Sequence, residues 1–330
     1  MKRIFIMNLV ISVCITLSMN FAFTTQASAL DYPTKTIQII VPYPPGGSSD
    51  ITARILSAKL ASILGQSVIV ENKPGGGGAV GIKTAAIAKP DGYTIMTSPP
   101  GLVMIPILQP GIGFKLEDFI PLCVAVSAPS VIAVKADASW KTLGDLVKEA
   151  QKSPGKLTYG SAGPGTTPHF AGELFKLRTG TDIIHVPMGG ESPAVVGTLG
   201  GHVSMTFTNL GGVNAQLKAG TLRALALMYH KRITDFPNIP TTKELGYAGL
   251  TTSAWHAYFL PAKTPKEIVE KLARAFDSAL KDKEVISKIE KAGMLAEGLI
   301  LEEAGNFTQE ENKKWSEVAK TAKMVEKEGK

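Results

Sequence analysis

The sequence predicts an α/β protein built from two lobes. Apolar runs of strand length alternate with helical patterns between residues 37 and 96, and a second alternating series follows residue 155. The chain that follows the N-terminal segment has about 300 residues, which is too long for one comfortable hydrophobic core. Alternation of strands and helices implies parallel strands with helices packed across them. Two such series therefore imply two α/β lobes.

The first series begins with a strand at 37–41. A helical pattern follows from Ile51, where apolar residues recur at helical spacing, and Gly65 ends it. Further strands are predicted at 67–70 and 93–96, with a helix of small residues between them. The order βαβαβ indicates a parallel sheet in this part of the chain.

A turn rich in proline and glycine, Val41–Asp50, joins the first strand to the first helix. Gly46 and Gly47 allow backbone N–H groups to approach a ligand closely, and Ser48 or Ser49 can cap the helix. The free N–H groups and the positive dipole end of a helix suit a carboxylate or a phosphate. The turn therefore predicts an anion site, with a plain structural connection as the alternative.

Two loops of the second series repeat this design. Tyr159–Pro168 combines a strand end, a glycine loop with three hydroxyl residues and a Thr-Pro helix start, and Pro187–Pro193 places Ser192 as a cap before a proline. Loops that follow parallel strands emerge at the carboxyl edge of a sheet, where ligands bind. If both lobes obey this rule, three helix N-termini face one cleft that suits a small carboxylate. The alternative is three unrelated structural caps.

The C-terminal part of the chain changes character. A strand is predicted at 255–260, and Thr264 begins a capping box that opens a helix to about Leu280. Two further helices, near 283–292 and 301–323, carry lysine and glutamate at pairing distances. We expect these helices to pack on the first lobe.

The N-terminal segment, residues 1–29, has the pattern of a secretory signal peptide. Lys2 and Arg3 precede an apolar run at 4–23, and an Ala-Ser-Ala ending predicts cleavage near Ala29. The run is close to the lower length limit for a membrane span, so an uncleaved anchor is the alternative. The Ala-Ser-Ala ending favours cleavage and export.

Composition excludes several other classes of function. The formal charge of +7 falls by two, to +5, without Lys2 and Arg3, and the remaining charges are interspersed, which argues against nucleic-acid binding. Only Cys123 remains after the signal peptide, so no internal disulfide is expected, and the 44% hydrophobic composition is sufficient to form the cores. The histidines lack metal-ligand spacing, so neither a metal nor a cofactor is expected.

Seven short motifs occur in a fixed order along the chain after the signal peptide. They are Tyr32–Lys35, Ile40–Asp50, Val70–Gly78, Pro90–Tyr93, Tyr159–Gly163, His185–Pro187 and Ala219–Ala226. Together they resemble the Bug family of periplasmic solute-binding proteins, the receptors of tripartite tricarboxylate transporters. The resemblance implies a two-lobed periplasmic-binding-protein fold with crossover strands and a ligand cleft between lobes that closes on a carboxylate. It also implies a membrane permease as the partner, and we expect a monomeric receptor.

The predicted lobes divide the chain at two points. Lobe 1 is discontinuous and comprises 30–128 and 254–330, and lobe 2 comprises 129–253. Family members often have an aspartate after the strand at 203–207, where this chain has Thr208, so a ligand carrying an amine would lack that partner. The predicted ligand-binding residues are Tyr43, Pro44, Gly46, Gly47, Ser48, Asp50, Ser161, Thr166, Thr167, Gly189, Gly190 and Thr208.

Two enzymatic alternatives remain open. A secreted serine hydrolase would use Ser161 as nucleophile and His169 or His185 as base, but the elbow pattern requires glycine where this chain has Tyr159. A dinucleotide enzyme is suggested by the glycine pattern of Gly76–Gly81, but too many residues separate that pattern from the preceding strand. A receptor is therefore the preferred interpretation.

Overall fold

Alternating strands and helices make up the computed structural model of the protein, which describes residues 31–321. The predicted signal peptide at 1–29 lies outside the described residues. The strands of the described part are β1 Ile37–Val41, β2 Val68–Asn72, β3 Thr94–Ser98, β4 Phe119–Lys135, β5 Thr158–Ser161, β6 Ile184–Pro187, β7 Met205–Asn209, β8 Leu222–Met228, β9 Ser253–Pro261 and β10 Leu295–Ile300. The helices of that part are α1 Ser48–Leu64, α2 Ala79–Ala86, α3 Gly101–Leu108, α4 Leu143–Lys152, α5 Thr167–Thr179, α6 Glu191–Leu199, α7 Leu210–Lys218, α8 Lys266–Leu280, α9 Lys283–Lys291 and α10 Glu302–Thr321.

Two groups of parallel strands lie at the two ends of a ten-stranded sheet. β1 pairs in parallel with β2 and β3, and β5 pairs in parallel with β6 and β7. The strand order is β2-β1-β3-β9-β4-β7-β5-β6, and β8 and β10 also pair with β4. Both parallel groups match the alternation of strands and helices that the sequence predicted.

The long strand β4 lies between the two parallel groups and pairs antiparallel with its neighbours on both sides. It has 17 residues, whereas strands are usually about 3–10 residues long. Residues 119–129 pair with β9, and residues 130–135 pair with β8. We call β1, β2, β3, β9, β10 and the start of β4 the first sheet portion, and β5 to β8 with the end of β4 the second sheet portion. β4 is therefore a crossover strand between the two portions.

Each sheet portion has its own hydrophobic core. Ile82, Met104 and Phe259 belong to the cluster of the first portion, and Phe175 and Phe207 belong to a cluster of the second. The cluster of the first portion also includes Phe170 of α5, so the two cores meet at that helix. In the described part of the chain, no helix has both the length and the apolar character needed to cross a membrane.

Two elements were not predicted from the sequence. Helix α7 contains the pair Gly211 and Gly212, and glycine is among the weakest helix formers, so its pattern is faint. A side chain at 211 would approach the carbonyl oxygen of Ala292 to 3.1 Å, so close packing favours glycine there. Strand β10 contains Glu297 and the positive-φ Gly298, which interrupt an apolar alternation.

Three predicted serine or threonine caps are wrong. Helix α1 begins at Ser48 with Gly47 as its N-cap, and α6 begins at Glu191 with Gly190 as its N-cap. The N-cap of α8 is Pro265, because the predicted cap, Thr264, donates its hydroxyl to the carbonyl of Pro261 instead. The reason for the first two starts lies in contacts between the sheet portions, described below.

The C-terminal helix α10 is attached to the first sheet portion through one buried carboxylate. Glu311 is 9% exposed, and its Oε2 accepts hydrogen bonds from the indole N–H groups of Trp255 and Trp315, both at 2.8 Å. Trp255 lies in β9 and is itself buried, so it is a packing residue. Glu311 thus joins α10 to the sheet.

We expect Glu311→Ala to lower the free energy of unfolding by about 2–6 kcal/mol, because it leaves two buried indole donors unpaired at about 1–3 kcal/mol each. Urea unfolding at neutral pH measures this change. The neighbouring exposed residue provides a matched control, since Glu310→Ala removes the same charge and should change stability by no more than about 0.5 kcal/mol. Equal effects of the two variants would contradict the proposed attachment.

Candidate functional site

A cleft lies between the two sheet portions at the carboxyl ends of their parallel strands. The residues that border it follow β1, β3, β5 and β6 or end β7, as expected for a ligand site in an open α/β sheet. About 20 Å³ of the cleft is open to the centre of a water molecule. One water needs roughly 10–15 Å³ of such space, so the cleft has room for about one water. The bordering residues are Tyr43, Gly47, Ser48, Ser49, Pro99, Ala162, Thr166, Thr167, Pro168, Glu191 and Asn209.

Three helix starts border this cleft. They are the starts of α1 at Ser48, α5 at Thr167 and α6 at Glu191, and the N-cap of α7, Asn209, also contributes. The sequence predicted this convergence from three glycine loops. The first N–H groups of each helix lack partners within their own helix, so the cleft is rich in hydrogen-bond donors.

A buried glutamate from the second sheet portion fills part of this donor-rich region. Glu191 is 7% exposed. Its Oε2 accepts hydrogen bonds from the backbone N–H of Ser48 at 2.6 Å and from the Ser48 hydroxyl at 2.9 Å. Its Oε1 accepts from the hydroxyl of Thr208 at 3.0 Å and from the backbone N–H of Asn209 at 2.8 Å. One carboxylate thus joins the start of α1 to the end of β7.

Glycines on both sides allow this carboxylate to reach α1. A Cβ atom on Gly47 would lie 3.0 Å from Oε2 of Glu191, and one on Gly190 would lie 2.6 Å from the Pro44 ring. Negative charge is also favourable at the starts of α1 and α6, where the helix dipoles are positive. The N-terminus of α1 is therefore capped by a carboxylate from the other sheet portion, which explains why its own serines do not cap it.

The start of α5 has a different arrangement, because no side chain of a described residue accepts from the hydroxyl of Thr167. Thr166 is the N-cap, and its hydroxyl donates to the carbonyl of Gly163 at 2.6 Å. The hydroxyl of Thr167 has no hydrogen-bond partner among the described residues, although Thr167 is only 2% exposed. This hydroxyl and the N–H groups of the first turn form a second donor group beside the cleft.

Tyr43 supplies a further unpaired hydroxyl to the cleft. Tyr43 is 6% exposed, and its hydroxyl has no partner among the described residues. Burial, followed by the nearby charge of Glu191, raises the pKa of Tyr43 well above its ordinary value. The hydroxyl therefore stays protonated and available as a donor.

Ser161 does not border the cleft. Its hydroxyl lies 2.6 Å from Nε2 of His185 and accepts the backbone N–H of Gly163 at 3.0 Å, and the residue is fully buried. The ring of His185 stacks between Tyr159 and His169, with centroid distances of 4.8 and 4.4 Å. This cluster is a packed part of the second sheet portion.

The same cluster contains the serine and histidine that a hydrolase would need, but it does not form an exposed catalytic site. Burial, and then the neighbouring His169, lower the pKa of His185 to about 4, so the ring is a weak base. In the described chain, no carboxylate hydrogen-bonds to His185, so the orienting third member of a triad has no counterpart. The geometry therefore gives no support to the hydrolase alternative.

Asp50 is also engaged within the protein. Its carboxylate accepts hydrogen bonds from the backbone N–H of Gly46, the guanidinium of Arg54 and the amide of Asn72, each at 3.0 Å. Burial raises the pKa of Asp50, but these hydrogen bonds outweigh burial, and the net pKa lies below its ordinary value. Asp50 holds the loop that precedes α1.

Of the four other predicted residues, three touch the opposite sheet portion, whereas a Cβ atom on Gly189 would have no neighbour within 4 Å. A Cβ atom on Gly46 would meet the hydroxyl of Ser192, which donates to the carbonyl of Pro45. Gly189 is exposed, with a positive φ of 77°. The remaining two, Pro44 and Gly190, touch across the interface, as described above.

Several bordering residues were missed from the sequence, and Glu191 is the most important. The available signal was an acidic residue directly after the Gly189–Gly190 pair, at a helix start where negative charge is favourable. Asn209 was missed because α7, whose start it caps, was not predicted. Among the described residues, no group of three or more His, Cys, Asp or Glu is placed to hold a metal ion.

The chain is similar in sequence and structure to known transport receptors. A family model described as "Tripartite tricarboxylate transporter family receptor" matches residues 52–324. BugT of Bordetella pertussis is 36% identical over 296 residues, which cover 89% of this chain and 91% of BugT. A structure described as a periplasmic transporter has 37% identity and a TM-score of 0.86, covering 89% of this chain and 99% of that one. R. palustris Rpa4515 with adipate has 31% identity and a TM-score of 0.86, with coverages of 89% and 99%.

We expect Asp50→Asn to lower the free energy of unfolding at pH 7 by about 1–3 kcal/mol, because it weakens the hydrogen bonds from Arg54 and Gly46. A carboxyl with a lowered pKa stabilises the fold above its unfolded value of about 3.9, and this contribution is lost as the pH falls through the folded pKa. The difference between wild type and variant should therefore shrink below about pH 4.

Urea unfolding at several pH values measures this difference, with Asp137→Asn on the exposed surface as the control. A difference that stays constant with pH, or a variant that loses ligand binding at full stability, would show that Asp50 does not act as a loop anchor.

Proposed function

This chain belongs to the tripartite tricarboxylate transporter receptor family, and from that premise we propose that it binds a small organic carboxylate in the cleft between its sheet portions. It is a solute-binding receptor, as its relatives are. The relative Rpa4515 was solved with adipate, which is a carboxylate. The chemistry of the cleft supports the same class of ligand here.

The observation that carries this proposal is the donor group at the start of α5. Thr167 is buried, its hydroxyl has no partner among the described residues, and it borders the cleft. It lies in the first turn of a 13-residue helix, where N–H groups and the helix dipole favour an anion. Tyr43 provides a neutral donor from the opposite sheet portion. A carboxylate placed here accepts hydrogen bonds from both portions.

Binding in such a cleft couples to closure of two lobes. We assign 30–128 and 254–330 to lobe 1 and 129–253 to lobe 2, because β4 changes its partners near Ser130 and β9 begins at Ser253. Two crossover strands at these points act as the hinge. A ligand that contacts donors on both lobes favours the closed arrangement, because it makes those contacts better there.

The same proposal places the mature receptor in the periplasm. The signal-peptide pattern at 1–29 supports export and cleavage near Ala29. The closed, loaded receptor then delivers its carboxylate to the membrane permease of a tripartite tricarboxylate transporter, and it acts as a monomer.

A thermal-shift screen of the purified mature chain against mono-, di- and tricarboxylates tests the proposed ligand class. Binding to the native state raises the melting temperature, and above Kd the stabilisation grows with the logarithm of the ligand concentration. A concentration-dependent rise with at least one carboxylate, and none with the matching alcohols, is expected. A flat response to every carboxylate would overturn the proposal.

We expect Thr167→Val to weaken carboxylate binding about tenfold to a hundredfold, because it removes a hydrogen bond to a charged group while keeping the side-chain volume. Titration calorimetry measures the affinity, and the melting temperature without ligand should stay close to that of wild type. Thr198→Val is the matched control, since Thr198 is equally buried and its hydroxyl donates to the carbonyl of Ala194 in α6. Similar affinities for the two variants would place the carboxylate elsewhere.

A further inference from the structure

We propose that Glu191 occupies the second anion site of the cleft and thereby makes this receptor selective for monocarboxylates over dicarboxylates. The inference rests on the proposed function, because it names the class of carboxylate that the cleft accepts. The relative Rpa4515 was solved with adipate, a dicarboxylate, so the inference assigns this chain a preference for a different class of carboxylate.

The first step is that the cleft has two groups of backbone donors. One lies at the start of α5, where Thr167 has a buried hydroxyl without a partner among the described residues. The other lies at the start of α1, where Ser48 borders the cleft and its N–H donates to Glu191. A dicarboxylate that bridged the two lobes would use both groups.

The second step is that Glu191 already uses the α1 group. Its two oxygens accept four hydrogen bonds, from the backbone and hydroxyl of Ser48, the hydroxyl of Thr208 and the backbone of Asn209. A carboxylate offers about four acceptor positions in total, so this one is saturated. Backbone N–H groups, which can only donate, reach both of its oxygens, from Ser48 to Oε2 and from Asn209 to Oε1.

The third step is the charge of the cleft. No Lys or Arg appears among the described residues that border it. Arg54, on α1, is paired with Asp50 at 2.9 Å. A second carboxylate of a ligand would therefore meet the charge of Glu191 without a compensating cation, and like charges placed together in an interface disfavour binding.

The fourth step concerns the end of the ligand that faces Glu191. Asn209 borders the cleft, and its side-chain oxygen has no partner among the described residues, although the residue is only 5% exposed. This oxygen accepts hydrogen bonds and does not donate them. The cleft therefore suits an uncharged far end that can donate a hydrogen bond, such as a hydroxyl or amide group, and not a second anion.

Titration calorimetry with three matched pairs of ligands tests the inference: butanoate with succinate, pentanoate with glutarate, and hexanoate with adipate. Wild type should bind the monocarboxylate of its best-bound pair at least about tenfold more tightly than the dicarboxylate. Glu191→Ala frees the α1 donors and removes the charge, so it should shift that ratio toward the dicarboxylate at least about tenfold.

Two further variants make the result decisive. Glu191→Gln keeps the size of the side chain without its charge, and it replaces Glu191→Ala if that variant does not fold. Glu310→Ala removes a carboxylate from the exposed face of α10 and should leave the ratio unchanged.

The outcomes separate the two claims. Equal or tighter dicarboxylate binding by wild type overturns monocarboxylate selectivity and leaves the proposed carboxylate function in place. A wild-type preference for monocarboxylates that neither Glu191 variant alters overturns the role of Glu191. No binding of any carboxylate overturns the proposed function itself.

Discussion

The contact between the two sheet portions depends on one buried carboxylate, that of Glu191, finding hydrogen-bond partners on both of them. An isolated buried charge is costly, and the penalty is several kcal/mol even after the protein relaxes. Glu191 pairs with no cation in the part of the chain that the structure describes, and it is stabilised instead by four hydrogen bonds and by the positive ends of helix dipoles. Two of its partners belong to Ser48 and two to Thr208 and Asn209. The carboxylate is therefore fully paired only when both portions are in contact.

The same constraint explains the glycine loops. Gly47 and Gly190 lie where a side chain would touch Glu191 or Pro44, so the loops need glycine for approach between the portions. Gly47 has a φ of −83°, which any residue adopts, so its backbone is not strained. From the sequence, these glycines suggested close approach of a ligand. In the structure they also allow the two sheet portions to approach each other.

Most of the fold follows from local sequence patterns. The alternation of apolar strands with amphipathic helices predicted both parallel groups, and local contacts such as the capping box of Thr142 and Asp145 at the start of α4 act over the same short range. These signals depend on residues a few positions apart. The two missed elements, α7 and β10, contain glycines that the surrounding fold tolerates through close packing, as at Gly211, and no local pattern reveals that packing.

The site was predictable only in part, for the same reason. Helix starts are local features, so their convergence on one cleft could be inferred from parallel topology. Which donors stay free depends on contacts between distant residues. Ser48 and Glu191 are 143 positions apart, and Ser161 is satisfied by His185 of the neighbouring strand. Residues predicted from the loops alone were therefore a mixture of free donors, such as Thr167, and donors or acceptors already engaged.

The free energy of closing the cleft depends on which of these hydrogen bonds form in the closed state and are replaced by water in the open state. In an open state, water replaces the partners of Glu191 and Ser48, so the net gain of each hydrogen bond on closing is only about 0.5–3 kcal/mol. A ligand shifts the balance by no more than its own difference in affinity for the two states. Contacts that the chain makes without ligand raise the fraction of closed, binding-competent protein, and the apparent Kd falls as that fraction rises. Glu191 thus acts on affinity through closure and on selectivity through charge, and the two effects arise from the same four hydrogen bonds.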